Sequence, residues 1–122
     1  MEKKYDVIIV GAGPGGIFSA YEFAKKRPDL KIAVFEAGNP LEKRNCPIDG
    51  KKIKSCIKCK TCAIMNGFGG AGAFSDGKYN ITNDFGGTLH EYIGRDKAIE
   101  LMNYVDEINA LEPEMENTNA GL

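Results

Sequence analysis

The sequence predicts an α/β fold class: a partial Rossmann-like domain, built as a βαβ unit with a short parallel sheet, then a Cys/Gly-rich insertion and a C-terminal helix. Three observations predict it. The apolar run over residues 5–10 leads directly into Gly11-Ala12-Gly13-Pro14-Gly15-Gly16, a helical pattern follows, and a second apolar run over residues 30–35 is closed by the acidic Glu36. Glycines at this spacing between a strand signal and a helix signal, with a carboxylate after the next strand, form a fingerprint for the pyrophosphate and ribose of a nucleotide.

Each element follows from its residues. Gly11 permits the tight turn out of the first strand, Gly13 leaves room for the pyrophosphate, and Gly16 lets the helix lie close to the sheet. The helix begins near Gly13 or Pro14, where a missing N–H costs nothing, and runs through Ile17, Ala20, Tyr21 and Ala24 to Lys26. Arg27-Pro28-Asp29 stops it, because the residue before proline is pushed out of the helical region. Strand, helix and strand in this order imply parallel pairing with a right-handed connection. N–H groups at the helix start, around Pro14 and Gly15, then meet the phosphates, while Glu36, with Ala37 beside it, meets a ribose hydroxyl pair. A carboxylate at Glu36 repels a 2′-phosphate, which disfavours NADP.

Residues 38–80 read as loop. Gly38, Pro40, Pro47, Gly50 and many lysines break any pattern up to about Lys54, and a cysteine cluster and the glycine-dense run over residues 67–78 follow. Interior glycine costs about 1 kcal/mol against alanine in a helix, so this run is expected to be irregular backbone passing close to something. A second helix is expected from Asp96, as N-cap, to about Ala110, with Ala98, Leu101, Met102, Val105 and Ile108 on one stripe. Residues 1–110 thus form the nucleotide-binding part, and residues 111–122, lacking periodicity and apolar content, are expected to be a disordered tail.

At 122 residues the chain is one domain at most, and its net charge of −1 gives no reason to expect nucleic acid or an anionic membrane as partner. No stretch is apolar enough to span a bilayer, and the N-terminus is not a signal peptide, so the expected location is cytoplasmic. In that reducing setting the four cysteines argue for thiolates or a metal site before structural disulfides. Cys56, Cys59 and Cys62, with Cys46 upstream, supply four soft ligands that suit zinc or an iron-sulfur cluster. A redox-active thiol pair beside Lys58 and Lys60, and plain unliganded thiols, are the other readings. His90, the single histidine, has no partner at a telling spacing and reads as a surface residue.

With these residues in view, the chain resembles the N-terminal part of an uncharacterised group of FAD-dependent dehydrogenases, flavoproteins of the glutathione reductase type. The resemblance covers residues 4 to about 108. It rests on the run from Tyr5 to Gly16, on Glu36-Ala37-Gly38 with Arg44 downstream, on the cysteine cluster, and on the glycine run. It implies that Gly11, Gly13 and Gly16 cradle the FAD pyrophosphate and that Glu36 holds the ribose. It also implies that Arg44 neutralises a phosphate, and that Gly69, Gly70, Ala71, Ser75, Asp76, Gly77 and Lys78 pass beside the ribityl chain and flavin ring. The plain rivals are a solvated charge for Arg44 and a simple turn for Ser75, Asp76 and Lys78.

Proteins of that group continue for several hundred residues, so the resemblance implies a truncated FAD-binding segment of a flavin-dependent oxidoreductase. Such a segment, inactive alone, either self-associates or needs its remainder. The alternative is a small metal or cluster module, non-enzymatic, whose nucleotide fold is vestigial.

Overall fold

Both apolar runs become strands, each shorter than its run. In a computed structural model that describes residues 4–84 and 86–110, β1 (Val7–Val10) pairs in parallel with β2 (Ile32–Phe35), in the register Val7 to Ile32 through Val10 to Phe35. The runs are cut short at their entry by a side chain. The Asp6 carboxylate accepts the Lys31 N–H at 2.8 Å, while the Asp6 N–H reaches the Lys31 carbonyl at 2.8 Å. At the other end the Gly11 N–H reaches the Phe35 carbonyl at 2.7 Å, so the glycine turn starts on the last rung of the sheet.

The connecting helix, α1 (Pro14–Lys26), has the predicted bounds, with Pro14 in its first turn and Gly13 as an extended N-cap. It ends at Arg27, whose N–H still reaches the Phe23 carbonyl, and whose guanidinium forms a two-pronged pair with Asp29 at 2.8 and 2.7 Å. That pair is fully exposed and fixes geometry more than it stabilises.

Helix and sheet meet at Gly16. A Cβ there would collide with the Gly11 carbonyl oxygen and touch Ile9 Cγ2 at 3.4 Å, so Ile9 lies on the face of the sheet that α1 covers. The opposite face is bare. Ile8 and Val10 alternate with half-buried Val7 and Ile9 and are 59% and 87% exposed. Residues paired in parallel register share a face, and Phe35, opposite Val10, is 55% exposed.

The described residues fall into two compact units, one within Met1–Asp76 and one within Gly77–Leu122. In the first, the loop after β2 holds a 3-10 turn at Leu41–Lys43, and the glycine run is not wholly irregular, since Gly70–Phe74 closes a 3-10 helix. Such a helix needs only i to i+3 bonds, which short glycine-rich backbone satisfies where a longer α-helix would not persist.

The second unit contains α2 (Leu89–Ile93) and α3 (Arg95–Ala110), separated by Gly94 at φ +85°. Asp96 is not the cap but lies in the first turn of α3, because Gly94 ends α2 and the next residue is already helical. Five residues are too few for periodicity to reveal α2. On α3 the predicted stripe is partly realised: Ala98 is buried, Met102, Val105 and Ile108 are half-buried, and Leu101 is 40% exposed. The predicted tail, residues 111–122, lies outside the described residues. Among the described residues, no helix is long and apolar enough to cross a membrane.

The contact at Gly16 yields a paired prediction. Gly16→Ala must push the helix off the strand end and is expected to cost about 1–3 kcal/mol. Gly15→Ala has no atom within 4 Å of the new methyl and is expected to be neutral or to stabilise by up to about 1 kcal/mol. Urea unfolding followed by circular dichroism checks both, and equal destabilisation by the two would contradict the packing described.

Candidate functional site

The glycine turn and the end of β2 are joined by one side chain. Gly11 holds φ +102°, a conformation that L side chains rarely adopt, and this sends the chain back so that Ala12, 2% exposed, points its N–H at Glu36. Glu36 Oε2 accepts that N–H at 2.7 Å and Oε1 accepts the Gly38 N–H at 2.8 Å. These two bonds, Ala12 first, hold the carboxyl below the ordinary glutamate range; partial burial opposes them, while the Ala37 N–H and the Arg44 charge reinforce them. An ionised carboxylate has about four acceptor positions. Two are used here, so acceptor capacity remains on both oxygens for an outside diol.

Beside it stands a helix start that no side chain caps. Gly13 makes no capping bond and the first turn of α1 holds no acidic residue. Pro14 has no N–H, and those of Gly15 and Gly16, by their place in the first turn, have no intrahelical carbonyl to reach. Backbone donors, the positive end of the helix dipole and an absence of side chains make this a place where an anion is favoured.

The glycine run is laid against that turn. The Gly69 N–H reaches the Ala12 carbonyl at 2.8 Å, and the Phe68 N–H reaches the Asn39 carbonyl at 3.0 Å. A Cβ on Gly70 would stand 3.1 Å from Gly13 Cα and 3.2 Å from Pro14 Cδ, and one on Gly72 would stand 3.3 Å from Pro14 Cγ. Thus Gly69, Gly70 and the 3-10 helix containing Ala71 gather at the nucleotide fingerprint, as backbone that passes close to backbone. Ser75 closes that helix with its N–H on the Gly72 carbonyl at 3.1 Å, Asp76 ends the first unit, and Gly77 and Lys78 begin the second.

Arg44 is not a solvated charge. It is 3% exposed and its guanidinium donates to three carbonyls: Nε to Ala63 at 2.8 Å, Nη2 to Ile64 at 2.7 Å, and Nη1 to Phe68 at 2.6 Å. The Phe74 ring lies over it with its centroid 4.7 Å away. Gly67, at φ +121°, passes beneath the side chain, where a Cβ would come within 2.6 Å of Arg44 Cδ and of the Asn39 carbonyl. Sequence reasoning gave Gly38 and Gly67 no role of their own within the runs it singled out, and did not single out Asn39. No local sequence signal could have found this corner, because Gly38 and Gly67, whose backbones nearly touch, lie far apart along the chain.

The cysteines do not assemble. All four are free thiols, with Cys46, Cys56 and Cys59 exposed and Cys62 half-buried, and among the described residues no three Cys, His, Asp or Glu side chains gather to hold a metal. The expected four-sulfur site for zinc or an iron-sulfur cluster is therefore not gathered among the described residues. Between the first two of the clustered sulfurs the backbone turns at Lys58, φ +54°, whose N–H reaches the Cys56 sulfur at 3.4 Å, and the chain bends again at Lys60 and Thr61. Before them, Asp49 Oδ1 orders the lysine-rich stretch by accepting the N–H groups of Lys51, Lys52 and Ile53 at 2.8–2.9 Å. His90 is half-buried in α2 and its carbonyl accepts the Gly94 N–H at 3.0 Å. A cavity of about 500 Å³ runs along the flank of α1 past Phe18, Glu22 and Phe23. Gly15 also lines it, whereas Gly13 and Glu36 do not, so it adjoins the candidate site through the first turn of α1 without reaching the carboxylate.

Comparison with known proteins places the family similarity on the segment holding the glycine turn and Glu36, not on Arg44 or residues 63–74. Residues 2–40 match the Thi4 family. Thiamine thiazole synthase of Yarrowia lipolytica is 64% identical over 33 residues, 27% of this chain and 10% of that protein. The thiamine thiazole synthases of Phaeosphaeria nodorum, 64% identical over 33 residues, and Emericella nidulans, 66% over 32 residues, are similar to the same extent of their length. The chain thus spans about a tenth of the length of the curated relatives it matches, and no solved structure matches it. The matched family differs from the dehydrogenase group named from sequence. The reason lies in the fingerprint itself, whose glycines and carboxylate answer to one ligand geometry that many dinucleotide folds share.

Glu36 gives a pH prediction. Because its native pKa is lowered, its contribution to stability is full above the ordinary glutamate value and is lost as pH falls through the native pKa. Urea midpoints measured downward from neutral pH are expected to fall more steeply for the wild type than for Glu36→Gln. Parallel curves would contradict the two-bond geometry.

Proposed function

We propose that the first unit binds the adenosine diphosphate part of a dinucleotide, with FAD as the cofactor and a flavin-dependent oxidoreductase as the setting. One observation carries the reading: the Glu36 carboxylate is fixed by the Ala12 and Gly38 N–H groups beside a helix start that no side chain caps. An acceptor for a vicinal diol and a donor cluster for phosphate then lie at opposite ends of one turn, which is the chemistry of ribose joined to pyrophosphate. The similarity of residues 2–40 to the Thi4 family and to thiamine thiazole synthases supports a role tied to this turn.

The residues present fit such a group. Gly16 is bare because a Cβ would collide with Gly11, and Gly13 presents only its Cα toward the turn. When bound, a flavin supplies hydride transfer at its ring nitrogen. The chain's own part is to bind and orient: Gly15 and Gly16 hold phosphate oxygens, Glu36 and Ala37 hold the ribose, and the carboxylate discourages a 2′-phosphate. The metal-module alternative has no gathered donor set among the described residues to support it.

The two described strands leave one sheet face bare, so little apolar surface surrounds the far half of a dinucleotide. Calorimetric titration of the monodisperse chain is expected to give ADP-ribose a Kd on the order of 100 µM, with FAD within about threefold of it. The 2′-phosphorylated analogue is expected to bind at least about tenfold more weakly. Equal affinity for both ADP-riboses, or no binding of either, would overturn the reading.

A further inference from the structure

We infer that Arg44 is a positioning residue for the nucleotide turn, acting through the glycine segment of residues 67–74 and not on the ligand. This inference rests on the nucleotide reading above. The guanidinium is a planar fork, and here three of its nitrogens are each spent on a different carbonyl: Ala63, Ile64 and Phe68. Bonding 63 and 64 on one side and 68 on the other closes the chain between them into a loop, which the Met65 and Asn66 N–H groups tighten on the Cys62 carbonyl.

The segment leaving that loop is the one that touches the fingerprint. Directly after Phe68, whose carbonyl Arg44 holds, comes Gly69, whose N–H bonds Ala12. Ala12 in turn donates its N–H to Glu36. A continuous path of short bonds therefore runs from the buried cation through Phe68, Gly69 and Ala12 to the carboxylate proposed to hold the ribose. The far end of the segment is fixed as well, since Phe74 lays its ring on the same guanidinium. Both ends of residues 68–74 are pinned to one side chain, and Gly70 and Gly72 between them rest on Gly13 and Pro14.

A phosphate-binding arginine offers its fork to solvent and ligand. This one is 3% exposed, with its fork turned to backbone oxygens, and no hydrogen bond joins it to Glu36. Lysine in its place carries the charge but is a point donor on a flexible stem and does not span three carbonyls in one plane.

The test combines hydrogen exchange with titration by ADP-ribose on the full chain, comparing wild type, Arg44→Lys, Gly70→Ala and Asp49→Ala. In Arg44→Lys the amides of residues 68–70 are expected to exchange at least about tenfold faster while those of β1 and β2 stay protected, with affinity about tenfold lower. In Gly70→Ala, Arg44 is intact but the added methyl crowds Gly13 and Pro14, and affinity is expected to fall similarly. Asp49→Ala disturbs only its own turn and is expected to change neither readout.

Weaker binding in Arg44→Lys with unchanged exchange at 68–70 would make Arg44 a ligand contact and overturn the inference. So would parallel loss of protection across β1 and β2, which marks general destabilisation, or unaltered affinity in Gly70→Ala. If the wild type binds no ADP-ribose, the nucleotide reading fails by itself. The exchange pattern then still decides whether Arg44 holds the segment on the turn.

Discussion

One buried guanidinium organises the first unit. Arg44 gathers the carbonyls of Ala63, Ile64 and Phe68 and stacks on Phe74, and every close approach between the Gly-rich segment and the nucleotide turn lies within a few residues of those contacts. An unpaired buried cation is expensive unless its donors are satisfied, and backbone carbonyls with an aromatic face meet that need here. Glu36 adds a favourable charge without a direct bond. Remove the cation and three carbonyls lose their partners together, each such loss costing about 1–3 kcal/mol where the group stays buried.

That dependence follows from how little else is buried. Among the described residues Ala12 and Ala98 are the buried apolar side chains, and no large side chain is fully buried. Hydrophobic burial scales with apolar area at roughly 25 cal/mol per Å², so two alanines contribute little. Polar geometry accordingly carries more of the loop's definition: the Arg44 fork, the Asp49 turn, Glu36 on Ala12 and Gly38, and Asp6 on Lys31. The bare sheet face of Ile8, Val10 and Phe35 is the counterpart of the same fact, since parallel sheets are ordinarily covered on both sides.

The βαβ unit was legible because its signals are local. Apolar alternation, a proline at a helix start and glycines at fixed spacing each constrain residues close in sequence, and β1, α1 and β2 follow them within about two residues. Glu36 was legible for the same reason: its position after β2 fixes it beside the turn. The Arg44 clamp was not, because it joins positions 19 to 24 residues apart through backbone carbonyls, which every residue type offers and no residue type advertises. The cysteines show the converse. Their spacing suits a shared ion, but spacing reports only which side chains are near in sequence; the chain turns at Lys58, yet no three of the sulfurs gather among the described residues. Asp96 shows the limit at a boundary, where Gly94 set the start of α3 ahead of the residue best suited to cap it.

Amide chemical shifts test the central claim most directly, because the claim names which N–H groups meet the ligand, Gly15 and Gly16, and which hold the carboxylate that does, Ala12 and Gly38. In a titration of the isotopically labelled chain with ADP-ribose, the cross-peaks of Ala12, Gly15, Gly16 and Gly38 are expected to move together, along one binding curve, with Phe68 and Gly69 following through their bonds to the same corner. If those four amides stay in place at saturating ligand, the turn between β1 and α1 is not the nucleotide site.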